Sequence, residues 1–124
     1  MQDFDFRVAF YDKPDGSKPA SEFLHELDAK MRAKMVRTID IIKAGGPMVR
    51  EPYSKHLDDG IYEARAQVGS NISRVLYFFF DGRRIVLTHG FIKKTQKTPS
   101  SEIERAKIYR AEYQRRKENQ DESH

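Results

Sequence analysis

The feature that most restricts this chain is a run of three strand-like segments joined by very short connectors. Residues 61–68 (IYEARAQV), 72–80 (ISRVLYFFF) and 84–91 (RIVLTHGF) are rich in β-branched and aromatic residues, and Gly69-Ser70-Asn71 and Asp81-Gly82 between them are turn-competent. Connectors this short exclude crossover helices and predict an antiparallel meander of two hairpins. The middle segment is apolar on both faces: Ile72, Leu76, Phe78 and Phe80 alternate with Val75, Tyr77 and Phe79. That pattern predicts a central strand.

The flanking segments follow from their periods. Phe4, Phe6, Val8 and Phe10 alternate with Asp5, Arg7 and Ala9, the two-residue repeat of a half-buried strand, which Pro14-Asp15-Gly16 ends. From Pro19 the period changes to three and four: Phe23, Leu24, Leu27, Met31, Met35, Ile39 and Ile42 form one apolar stripe. One helix, or two in tandem with a break near Asp28-Ala29, is expected, starting near Ser21 and closed by Gly45-Gly46-Pro47. A loop through Pro52 leads to the meander. After it, Lys93 to Pro99 reads as an irregular basic connector, and Ser101 with Glu104 has capping-box spacing before a last, weakly amphipathic helix.

The fold class expected is therefore α+β: a small antiparallel-rich sheet built from a strand, a helix pair, a three-strand meander and a C-terminal helix, with the helices packed on one face. At 124 residues one core is expected. We assign it to residues 1–114 and read 115–124 as a polar, fraying tail. The longest apolar run, Val75 to Phe80, is far below the roughly 20 residues that cross a bilayer. The N-terminus has acidic residues where a secretion signal is basic, so a cytoplasmic protein without membrane contact is expected. The absence of cysteine excludes disulfide frameworks, thiolate nucleophiles and Cys-based zinc sites. His25, His56, His89 and His124 lack metal-ligand spacing, so neither a metal nor another cofactor is expected.

Charge locates the candidate site. The net +4 divides into −1 over residues 1–60 and +5 over 61–124, and the stretch from Arg83 to Lys97 holds Arg83, Arg84, Lys93, Lys94 and Lys97 with no acidic residue. Residues 1–60 read as scaffold. A local cationic excess of this kind suits a polyanion such as RNA, although a charge run is also the ordinary composition of a solvated loop. In the first meander strand Glu63, Arg65 and Gln67 share the polar face with Ile61. Arg74 lies in the central strand, where an unpaired guanidinium is costly to bury. It must either pair with Glu63 or Asp81, or point into a cleft.

Three segments together carry a resemblance: LDDGIYEAR (57–65), SRVLYF (73–78) and THGFIKKTQKTP (88–99). They resemble the toxins of type II toxin–antitoxin modules, in the phage-derived HigB-like branch of the RelE/ParE superfamily, over nearly the whole chain to about Arg110. The resemblance implies a metal-independent, ribosome-dependent mRNA endonuclease that inhibits translation. It also implies a cognate helix-turn-helix antitoxin as partner, with DNA reached only through that complex. By the same resemblance Arg65 and Arg74 hold the phosphate, and Lys93 and Lys94 border the cleft. Arg83, Arg84 and Lys97 are the further RNA-binding candidates. Proton transfer is left among His89, Glu63 and Tyr77, with His89 counted in the catalytic set. The alternatives are a ParE-like toxin that inhibits DNA gyrase without nuclease activity, and a non-catalytic corepressor.

Overall fold

A computed structural model describes residues 6–122. Five strands form one sheet in the order β1-β5-β4-β3-β2: β1 (Arg7–Phe10), β2 (Ser54–Asp58), β3 (Ile61–Val68), β4 (Asn71–Phe80) and β5 (Arg84–Lys93). The meander is as expected, with β4 in the centre and buried along most of its length. Asp81 and Gly82 both take positive φ (57° and 69°), the conformation that lets so short a connector reverse a twisted strand. The first strand joins the other side of the sheet, parallel to β5, with Arg7 opposite Arg84. Its expected first residues, Phe4 and Asp5, lie outside the described residues, as do the N-terminal segment 1–5 and His124 in the tail.

Strand β2 has no counterpart in the sequence expectation. Its sequence, SKHLD, has one apolar residue and no alternation to reveal it. It is an edge strand held by pairing with β3, with a register shift between His56 and Asp58.

The helices cover both faces of the sheet, where one face had been expected. Helices α1 (Pro19–Glu26) and α2 (Ala29–Gly45) pack on Ala64, Ala66, Val75, Tyr77, Ile85 and Leu87. Helix α3 (Ser100–Glu122) lies on the opposite side, where Ala106 and Tyr113 meet Tyr11, Ile61, Leu76, Phe78 and Val86. The reason is in β4 itself: Val75 and Tyr77 point one way and Leu76 and Phe78 the other, so each apolar face needs its own cover. Among the described residues no helix is long and apolar enough to cross a membrane.

The break between α1 and α2 falls at Leu27-Asp28. The Asp28 carboxylate accepts the Met31 amide at 2.9 Å as N-cap, and the Arg32 guanidinium donates to the carbonyls of Leu24 and Leu27 at 2.8 and 2.7 Å. Helix α1 starts with Pro19 as its first residue, two positions before the expected Ser21. Helix α3 starts at Ser100, and the Pro99 carbonyl accepts the Glu102 amide at 3.1 Å. Ser101 is therefore inside the first turn and forms no capping box, and Glu104 pairs with Lys107 instead. Helix α3 continues through the segment read as tail, where the Arg116 guanidinium donates to the Asp12 carbonyl at 2.6 Å.

Candidate functional site

The register places Arg65 of β3 directly opposite Arg74 of β4. Two like charges at opposed positions repel, so something must stand between them. Glu63, two residues back on the same face, supplies it. Its buried carboxylate accepts from Arg65 Nε on one oxygen and from the Thr98 hydroxyl on the other. The Thr98 hydroxyl in turn accepts from Arg74 Nη1 at 3.2 Å. Of the two pairings expected for Arg74, neither is direct: Glu63 is reached through Thr98, while Asp81 sits in the β4–β5 turn.

The two arginines differ in what they face. Arg74 is fully buried, its guanidinium 6.0 Å from the centre of the Phe91 ring, and its Nε and Nη2 have no hydrogen-bond partner among the described residues. Burial lowers its pKa below the ordinary arginine value, Glu63 opposes that shift, and Arg65 adds to it. Arg65 reaches a surface cavity of about 630 Å³ at the end of β2, where the edge of β3 is no longer paired. There Nη1 donates to Gln96 Oε1 at 3.1 Å and Nη2 to the Gln96 carbonyl at 2.5 Å. A guanidinium has five N–H donors, so two of them remain for a ligand.

The cavity draws on parts of the chain that had been read as scaffold or loop. Lys34, Arg37 and Thr38 of α2 line it, with Glu51, Pro52 and Tyr53 of the turn before β2, Gln67 of β3 and Gln96 of the connector. Lys34 Nζ donates to the Gln67 carbonyl at 2.6 Å and Thr38 Oγ1 to the Arg65 carbonyl at 3.0 Å, so α2 side chains satisfy the open edge of β3. Residues 1–60, read as scaffold, thus also line this cavity. Lys34 and Arg37 alternate with apolar residues along α2, which in a sequence is indistinguishable from an ordinary solvated helix face.

The other candidates fall in three places. Lys93, at the end of β5, is opposite Ile72, which lines the cavity; Lys93 and Lys94 are exposed and are not among its lining residues. Lys97 lines a neighbouring cavity of about 310 Å³ with Lys55, His56 and Thr98. Arg83 and Arg84 sit at the opposite end of the sheet, with Arg7 and Asp81 around a separate depression. Six strand residues from Arg74 to Phe80 put them roughly 20 Å away. Arg84 is engaged there, donating to the Tyr113 hydroxyl at 2.7 Å.

A bulge decides where His89 points. The register passes from Leu76↔His89 to Tyr77↔Leu87, leaving Thr88 as the extra residue, and this turns His89, Phe91 and Lys93 onto the α3 side. His89 is buried there, its Nδ1 3.1 Å from Thr88 Oγ1 and its Nε2 3.2 Å from Glu102 Oε1. Burial lowers its pKa below the ordinary 6.5, against the pull of Glu102. Neither ring nitrogen hydrogen-bonds to the arginine pair. Tyr77 lies on the other face, sharing a hydrogen bond with Ser54, and burial pushes its pKa up to about 12. Among the described residues Glu51 is the one carboxylate on the cavity wall.

A five-stranded α+β sheet covered on both faces, with a cationic cleft at one edge, is compatible with the RelE-like class of toxin folds. The chain belongs to the phage-derived Gp49-like protein family (DUF891), a family of RelE/ParE-like toxins, whose model matches residues 22–111. That span runs from α1 into α3 and includes Glu51, Tyr53, Glu63, Arg65, Arg74 and Thr98. No curated protein matches the chain. Membership implies a toxin role and an antitoxin partner.

Proposed function

We propose that this chain is the toxin of a type II pair and acts in the cytoplasm as a ribosome-dependent mRNA endonuclease, its antitoxin being a helix-turn-helix protein. The observation that carries this reading is Arg65. Its guanidinium is fixed by Glu63 and Gln96 while two donors remain free, in a cavity shared with Lys34 and Arg37. The THGFIKKTQKTP stretch is the ground for setting the chain beside HigB-like members.

Cleavage without a metal uses the substrate's own 2′-hydroxyl. Its oxygen bonds to the adjacent phosphorus and the bond from phosphorus to the 5′-oxygen breaks, leaving a 2′,3′-cyclic phosphate and a 5′-hydroxyl. One proton must leave the 2′-oxygen and one must reach the 5′-oxygen. Arg65 stabilises the charge that develops on the phosphorane. Arg74, beneath it, acts as a positioning residue that holds Thr98 and, through it, Glu63. Glu51 is the proton acceptor that the cavity wall offers, in place of His89.

Primer extension on a translated mRNA, with and without ribosomes, tests the reading. Wild-type protein is expected to cut only with ribosomes. Arg65→Ala should cut on the order of 10²–10³ more slowly, and Glu51→Gln, which keeps the shape but not the proton acceptor, should also cut more slowly. Intact transcripts together with inhibited gyrase supercoiling would replace this reading with the ParE-like one. Intact transcripts and no growth inhibition would leave a corepressor.

A further inference from the structure

Tyr53 presents an aromatic ring to the cavity from outside both hydrophobic clusters. At 41% exposure it is the one aromatic among the large apolar residues that stand exposed in the described part of the chain. Its backbone is nevertheless held firmly: its amide donates to the Arg50 carbonyl at 3.1 Å, and its carbonyl accepts the Arg65 amide at 3.0 Å. The ring belongs to neither hydrophobic cluster and stacks on no other ring among the described residues. A fixed root with an unengaged ring is a platform.

Its neighbours define what would lie on it. One step beyond the Ser54↔Ala64 pair, Tyr53 stands opposite Arg65 across the two strands. Opposed positions bring Cβ atoms to roughly 4.5–5.5 Å, so a group stacked on the ring lies within one nucleotide of a phosphate held by Arg65. Lys34 and Arg37 line the same cavity, against the single carboxylate of Glu51. Its volume of about 630 Å³ falls in the range of roughly 300–1,000 Å³ that encloses a small ligand. Aromatic faces set in a cationic groove are the arrangement that binds single-stranded nucleic acid, since every base has a π-face and only an unpaired one exposes it.

We propose that Tyr53 is the nucleobase-stacking residue of this cleft, so that its ligand is a single-stranded stretch of RNA with one base splayed onto the ring beside the phosphate held by Arg65. This rests on the endonuclease reading and adds to it the conformation of the substrate and the residue that selects for it.

The chain contains no tryptophan, so Tyr53→Trp introduces a single fluorophore at the platform. The probes are a short single-stranded oligoribonucleotide and an abasic ribose-phosphate chain of the same length, titrated at low salt. The base-carrying probe should quench the Trp emission, and the abasic one should not. Tyr53→Ala should bind the base-carrying probe roughly 5- to 150-fold more weakly, with abasic binding unchanged and Tyr53→Phe restoring affinity. Arg65→Ala should weaken both probes. If Tyr53→Ala binds the oligoribonucleotide as tightly as wild type, or both probes quench alike, the proposal is overturned and the ring is left to a protein partner. If wild type binds neither probe, the stacking proposal is overturned, whereas the endonuclease reading stands or falls separately by the primer extension with and without ribosomes.

Discussion

Removing the Glu63 carboxylate is the sharpest perturbation of the site's architecture. In Glu63→Ala the fully buried Arg74, two of whose nitrogens already lack partners among the described residues, loses its nearby countercharge, and Arg65, with 11% of its side chain exposed, loses its Nε acceptor. Deleting one member of a buried ionic group costs about 3–5 kcal/mol, because the remaining charge stays desolvated. That is a large part of the roughly 5–15 kcal/mol that holds a domain folded. With an unfolding entropy of roughly 2.1 cal/mol/K per residue, each kcal/mol moves the melting temperature of a chain this long by about 4 °C, so a drop of roughly 11–19 °C is expected. Thermal melts followed by circular dichroism measure it. The same melts on Arg65→Ala and on the double variant complete a cycle, in which the double should lose clearly less than the two singles together. A Glu63→Ala protein melting within about 4 °C of wild type, with additive losses in the cycle, would refute the claim that this carboxylate holds the two arginines.

Two further outcomes follow from buried groups elsewhere. Because burial holds the His89 pKa below its ordinary 6.5, the folded state keeps the ring neutral; the associated stability is present above pH 6.5 and is lost as pH falls through the lowered value. Urea midpoints should fall from pH 7.5 to 5.5, and His89→Gln should flatten that fall; an unchanged slope would contradict it. At Gly90, an added Cβ would meet the Phe23 ring at 2.3 Å, so Gly90→Ala should lose about 1–3 kcal/mol in urea unfolding, part of it recovered by adding Phe23→Leu.

The meander, its central strand and the helix break were readable because each rests on a local period or a turn residue. What lay beyond sequence reading depends on pairing. SKHLD becomes a strand only because β3 has an edge to fill, and the bulge at Thr88 reverses the facing of His89 without any signal in the alternation. The arginine pair was visible from strand phase and resemblance, but its clamp was not. Thr98 and Gln96 lie in a connector with no period, and Lys34, Arg37, Glu51 and Tyr53 reach the cavity from elements distant in the chain. The run from Arg83 to Lys97 is continuous in sequence, yet β5 carries its two ends to opposite ends of the sheet.

The parallel pairing of β1 with β5, and the hydrogen bond at 3.0 Å from the Tyr11 hydroxyl to Glu112, 101 positions away, govern when the molecule becomes complete. The β3–β4 and β4–β5 hairpins close through short loops and can form early, whereas β1 has no partner until β5 exists, and α3 follows later still. A chain emerging from synthesis therefore displays Arg65 and Arg74 before Gln96, Thr98 and the face of α3 arrive to fix them. A nascent chain thus carries Arg65, Arg74 and Glu63 before it carries Gln96 and Thr98, so the candidate cleft is complete only once the connector after β5 has been made.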